Sequence, residues 1–253
     1  NLYNITHIYK NKELQNYYRY DDSNELLEDY NYNQNKKTKY QYDTSGNIIE
    51  KQEYDLNTNT LLHEDTYEYT NLNWKDQLTK FNDTNITYDE IGNPTTIGDD
   101  TLTWWGRELQ SYQNNMFQIN YSYNKEGIRN KKIVNGVETN YYVENSNIIF
   151  EETNGNALYY MRTDKNNLIG LKYNDETYYY KKNYQGDIIG IYNSNYEEIA
   201  TYEYDSYGNI VSIKDANGGY ITDSNHIAII NPYRYRSYYY DIETGLYYLN
   251  SRY

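Results

Sequence analysis

The reading of this chain turns on one stretch, Tyr202-Glu203-Tyr204-Asp205-Ser206-Tyr207-Gly208-Asn209-Ile210-Val211-Ser212-Ile213. Side chains alternate sides along a strand, so Tyr202 and Tyr204 share one face while Glu203 points to the other. Asp205 can hydrogen-bond its own backbone, and Gly208-Asn209 accepts positive φ, so the middle is a turn. Ile210–Ile213 then reads as a returning strand rich in β-branched residues.

The same unit recurs in both directions. Tyr18-Arg19-Tyr20-Asp21 leads to Asn24, Tyr40-Gln41-Tyr42-Asp43 leads to Gly46-Asn47, and Thr87-Tyr88-Asp89 leads to Gly92-Asn93. Tyr121-Ser122-Tyr123-Asn124 precedes Gly127, and Tyr238-Tyr239-Tyr240-Asp241 precedes Gly245. Most copies fall about twenty residues apart, the sequence signature of a repeat architecture. About ten strand–turn–strand units predict an all-β fold: tandem hairpins in one long, curved antiparallel sheet, part of a shell or barrel or a fibre subunit. Pro94 and Pro232 are the two prolines, and no helical period or linker breaks residues 1–253, so a single β region is expected.

Composition agrees with folding. A mean hydropathy of −1.10 suggests disorder, yet 18% of residues are aromatic, which disordered chains are not. Tyrosine resolves the conflict: there are 39, beside 38 asparagines, and each ring buries apolar area while its hydroxyl keeps a polar handle. The net charge of −14 and pI near 4.6 argue against binding to nucleic acid or to an anionic membrane surface. No apolar run approaches the ~20 residues of a membrane-spanning helix. There is no cysteine, so disulfides and thiolate chemistry are out. The chain does not begin with Met and carries no signal peptide, as expected of an excised or processed piece.

Three stretches carry a resemblance. They are Asn73-Trp74-Lys75-Asp76-Gln77-Leu78-Thr79 with Tyr88–Pro94 after it, Asn183–Gly190 running into Tyr202–Asn209, and Asn231–Tyr253. Together they resemble the YD-repeat (Rhs) family, which includes bacterial polymorphic toxins, the C component of insecticidal toxin complexes and teneurins. The last stretch is similar to the Rhs-associated core motif, with Arg234, Arg236, Tyr240, Asp241, Gly245, Tyr247, Arg252 and Tyr253 as its structural residues. The resemblance implies a sheet wound into a hollow shell that encloses or displays a C-terminal toxin domain. Similar proteins continue past the core motif; here no separate toxin domain is seen, and the self-cleaving aspartates of such proteins would lie downstream. A secreted or cell-surface location in a Gram-positive bacterium is expected, the latter from the Asn-rich, Lys-over-Arg composition.

The residues suggest no active site, and the expectation is of no enzymatic activity, no catalytic or metal residues and no cofactor. His7, His63 and His226 lack metal-ligand spacing. Asp215-Ala216-Asn217-Gly218-Gly219 lacks the Gly and Glu of a calcium loop and reads as a turn. Glu151-Glu152 and Glu197-Glu198 are adjacent, so each pair splits across a strand and reads as solvated. Arg234, Arg236 and Arg252 among tyrosines suggest ion pairs and ring stacking in a structural plug. The expected partners are a C-terminal toxin cargo or the rest of a repeat shell. The alternative is self-association through strand edges into a filament or adhesin. A weaker reading is a glycan-binding surface, although rings in every repeat suit packing better than one site.

Overall fold

The structure, a computed structural model, describes residues 4–250. Arg252 and Tyr253 lie outside the described residues. The chain folds as two compact units, residues 1–99 and 100–253.

The first unit holds β1 (His7–Lys10), β2 (Glu13–Tyr20), β3 (Leu26–Asn31), β4 (Lys36–Tyr42), β5 (Ile48–Asp55), β6 (Leu61–Glu68), β7 (Lys80–Phe81), β8 (Thr84–Tyr88) and β9 (Pro94–Ile97). The second begins with β10 (Asp100–Trp105), β11 (Glu108–Gln113), β12 (Gln118–Tyr123), β13 (Arg129–Val134), β14 (Val137–Glu144) and β15 (Asn147–Thr153). It continues with β16 (Asn156–Arg162), β17 (Leu168–Tyr173), β18 (Glu176–Lys182), β19 (Ile188–Tyr192), β20 (Glu198–Tyr204) and β21 (Ile210–Lys214). A one-turn helix, α1 (Ile227–Ile230), a 3-10 turn (Tyr235–Ser237) and the hairpin β22 (Tyr239–Asp241) and β23 (Leu246–Tyr248) follow. Within each unit every strand pairs antiparallel with its chain neighbour, for example β4 with β5 and β20 with β21. The architecture is the expected all-β antiparallel repeat sheet.

Two kinds of turn build it. At one end Asp205 Oδ1 accepts the backbone N–H groups of Tyr207 and Asn209, both at 2.9 Å, and Asn209 Nδ2 donates to Oδ2 at 2.8 Å. Gly208 occupies the left-handed region at φ +94°. Asp43 and Asp89 repeat this loop with Gly46 and Gly92. Asn bonds from Asn47 hold the Asp43 carboxyl below its ordinary range; at Asp89 burial pushes the other way and the bonds from Asn93 prevail. Asp215 serves the same purpose, capping Asn217 and Gly219. Asn124 and Asn183 make the identical loop in the second unit. At the other end sit two-residue turns with positive φ at both positions, such as Asn135-Gly136 and Asn154-Gly155. That backbone matches the twist of the paired strands.

The tyrosine ending each repeat strand explains why the residue is Tyr and not Phe. Tyr20, Tyr42, Tyr88, Tyr123 and Tyr204 each donate their hydroxyl to a main-chain carbonyl from earlier in the chain: Ile5, Leu26, Leu78, Leu109 and Ile188, at 2.6–3.0 Å. Each repeat is thereby tied to its predecessor. The strand also shifts register at this tyrosine, by a bulge between Gln41 and Tyr42 and again between Glu203 and Tyr204.

Candidate functional site: a strap across the second unit

After β21 the chain leaves the hairpin rhythm, and residues 226–248 form a strap whose contacts reach from β13 to the loop that precedes β21. His226 caps α1 by accepting the N–H of Ala228. Asn231 is fully buried and fully used. Its carbonyl oxygen accepts from Tyr180, and its amide donates to the hydroxyl of Tyr202 and the carbonyl of Tyr233. Tyr202 in turn donates to the carbonyl of Ala228 at 2.7 Å. Tyr233 meets Tyr160 edge to face at 4.7 Å and Tyr239 at 5.6 Å, the geometry aromatic quadrupoles favour.

Asp241 is the centre of the arrangement. It is 0% exposed, and its Oδ2 accepts Nη1 of Arg129 at 2.5 Å while Oδ1 pairs with Nζ of Lys132 at 3.2 Å. Glu243 holds the same ammonium at 2.8 Å. The Arg129 guanidinium lies 4.5–5.5 Å from the ring centres of Tyr248, Tyr141, Tyr239 and Tyr121, so its faces stack while its edge pairs. Tyr248 accepts the backbone N–H of Arg129 at 2.8 Å. Burial alone would raise the Asp241 carboxyl, but Arg129 and Lys132 hold it below the carboxylate range. Burial likewise opposes the charge on Lys132, and Tyr141, Asp241 and Glu243 keep it protonated well above its ordinary value. A lysine held charged is a tether and a poor base.

Other strap residues grip loops. Arg236 and Ser237 both sit at positive φ, +53° and +56°. This strained bend lets the backbone N–H of Arg236 reach the carboxylate of the buried Asp187 at 2.9 Å, while Ser237 donates to the carbonyl of Gly186 at 2.8 Å. Arg236 Nε lies 3.7 Å from Asp187. Tyr247 donates to the carbonyl of Gly208 at 3.1 Å, and the Tyr235 ring covers that glycine so closely that a Cβ there would stand 2.4 Å from it. Tyr240 packs on Tyr247 at 5.1 Å, and Gly245 turns the hairpin at φ +72°.

The structure thus gathers Arg234, Arg236, Tyr240, Asp241, Gly245 and Tyr247 with Asp205-Gly208, whereas Asp43-Gly46 and Asp89-Gly92 are turns of the first unit. Two expectations need correction. Arg234 was expected to form an ion pair, but its Nε and Nη2 donate to the carbonyls of Asn231 and Ile229 instead. Glu151 does not lie on a solvated face: it accepts from Tyr239 at 2.7 Å, and burial pushes its carboxyl up. Alternation along a strand puts Glu151 and Glu152 on opposite faces but does not mark which face is covered. Sequence reasoning also missed Arg129 and Lys132. The signal was there: Gly46, Gly186 and Gly208 are each followed two places on by Ile, and Gly127 by Arg. A charge in an apolar slot implies a buried partner.

The exposed aromatic ladder Tyr142–Phe150–Tyr159 stacks ring on ring at 3.9 and 5.0 Å, which uses ring faces that a glycan would need. Among the described residues no group of three or more His, Cys, Asp or Glu could hold a metal, and no helix is long and apolar enough to cross a membrane.

The chain is 35% identical over 192 residues to the tRNA3(Ser)-specific nuclease WapA of Bacillus spizizenii. It is 34% identical over 199 residues to the tRNA nuclease WapA of Bacillus subtilis. Each match takes in 72% of this chain but only 8% of the relative. No family model matches. The fold is shared with the crystal structures of TcdB2-TccC3-Cdc42 (TM-score 0.55, 16% identity, 94% of this chain and 15% of that one) and TcdB2-TccC3-TEV (TM-score 0.51, 17% identity, 96% and 16%). At that identity the likeness is one of fold. These matches support the resemblance carried by the repeats. They also overturn the expectation of a protein without enzymatic activity, because the similar curated proteins are named as nucleases. The repeats read from sequence lie within a small fraction of such proteins and carried no signal of what the remainder does.

Proposed function

We propose that this chain is a wall segment of an Rhs-type (YD-repeat) shell within a longer secreted or cell-surface toxin, and that the longer protein carries tRNA-nuclease activity. The carrying observation is the strap. It crosses one face of β13–β20 and bonds to their loops, as a closing element of a container would, and Asp241 fastens it through a buried pair. The strap holds residues 231–248 of the core motif assigned to 231–253, so that motif is read as the closure of the shell. With a charge of −14 the segment is a poor surface for RNA, which puts tRNA contact elsewhere in the longer protein.

The test is electron microscopy of the full-length protein purified from its source, with limited proteolysis of its nuclease activity. Closed particles of one size, with activity protected from protease until the shell is opened, are expected. Long fibres with an axial repeat would replace this reading with the filament, which the exposed strand β1 favours, being paired on one side by β2. Particles whose nuclease is digested as fast as a free domain would remove the enclosing role.

A further inference from the structure

Two arginines of the second unit are almost wholly buried, Arg129 at 0% and Arg234 at 3% exposure. Arg129 is matched by Asp241. Arg234 forms no ion pair among the described residues: its hydrogen bonds go to the carbonyls of Asn231 (3.3 Å) and Ile229 (3.1 Å), and its faces to the rings of Tyr240 (4.7 Å) and Tyr202 (5.9 Å). Carbonyls and rings solvate a guanidinium but leave its charge uncompensated, and a buried cation without a counter-ion is costly.

Arg234 lines a cleft of about 470 Å³ between β13–β15 and the strap. Of the carboxylates in the cleft, Glu243 pairs with Lys132 and Glu151 accepts from the Tyr239 hydroxyl, and among the described residues neither forms an ion pair with Arg234. The lining also includes the aliphatic side chains Val134, Val137, Ile230 and Ile242.

We propose that this cleft binds a polypeptide carboxylate, an Asp or Glu side chain beside an aliphatic residue, with Arg234 as its counter-ion. A single carboxylate matches the single uncompensated charge and the planar donors of Arg. The aliphatic side chains require an apolar neighbour in the ligand. A phosphate dianion would bring excess charge beside Glu243 and nothing for those side chains.

The intact chain is titrated with the peptide acetyl-Leu-Asp-Val-amide, with its Asn counterpart and with inorganic phosphate, following the arginine Nε–Hε resonances by NMR. The Asp peptide should shift the Arg234 resonance saturably and bind at least about tenfold more tightly than the Asn peptide. Arg234→Gln should abolish that preference, and Arg236→Gln should keep it. The Asp-against-Asn comparison stands on the unaltered chain even if Arg234→Gln fails to fold. Equal binding of the two peptides, or no shift with either, overturns the proposal. A stronger response to phosphate overturns it in favour of a simple anion site.

Discussion

The two units share one repeat chemistry and differ in what covers it. Both have the Asp-capped loop, the positive-φ glycine and the tyrosine that donates to an earlier carbonyl. In the first unit, however, Tyr40 is the only buried hydrophobic residue among the described residues, beside the buried polar Asp29, Asp65 and Asn93. In the second, Tyr141, Ile148, Leu171, Ile188, Ile191, Tyr202 and others form a continuous core with Ile227, Tyr233, Tyr239 and Tyr248 of the strap. A hairpin meander has two faces, and its own turns cover neither. The repeats supply backbone pairing; burial of apolar area, the larger stabilising term, forms its main cluster where the strap lies on the sheet.

The comparison can be broken most forcefully at Asp241. Asp241→Ala leaves Arg129 buried without its carboxylate, and loss of one partner of such a pair costs ~3–5 kcal/mol. Chemical denaturation with hydrogen exchange by mass spectrometry should show the loss in β13–β21 and the strap, with β1–β9 unchanged. A uniform loss would mean that the two units do not differ as their cores imply. The same pair sets a pH signature. Asp241 has a depressed folded pKa, so its contribution is present above the unfolded value of about 3.9 and fades as pH falls through the folded one. Lys132 has a raised folded pKa, so its contribution is present below about 10.4 and is lost as pH rises through its folded value. Protection of the second unit should therefore be flat through neutral pH and fall at both extremes; Asp241→Ala should remove the acid arm.

Gly208→Val should cost roughly 2–4 kcal/mol, since a β-branched residue at positive φ adds strain and its Cβ would collide with the Tyr235 ring. Gly218→Val has the same strain at φ +86° but nothing within 4 Å of a Cβ, so about 1–2 kcal/mol is expected there. Equal melting shifts for the two would deny that the strap rests on the Gly208 loop. The smallest effect tests what the units share. Tyr42→Phe and Tyr204→Phe each remove one hydroxyl bond to a carbonyl and should each cost about 1 kcal/mol. A negligible cost at Tyr42 alone would mean that the tie matters only under a covered sheet.

Part of this was legible early. The loop chemistry of Asp43, Asp89 and Asp205 could be read because it is local: a side chain, a left-handed residue and two strands within a few positions. The two-residue turns at Asn135-Gly136 and Asn154-Gly155 are equally local, since an Asn-Gly pair is itself the hairpin signal. Asp241 could be marked as part of a dense motif, but not as the partner of Arg129, which lies 112 residues away in the chain. Nor could the sequence tell Glu151 from Glu152, since alternation gives two faces without naming the covered one.

What the sequence determined by itself is therefore the sheet: strand, loop, strand, repeated, with tyrosines spaced for a pleated surface. What only the tertiary structure decided is which face is sealed, which charges are buried together, and that one buried arginine has a carboxylate while another has carbonyls. The physical reason is range. Backbone turns and side-chain alternation act over a few residues and leave their mark in local spacing, whereas burial and charge pairing depend on segments that meet only once the chain has folded.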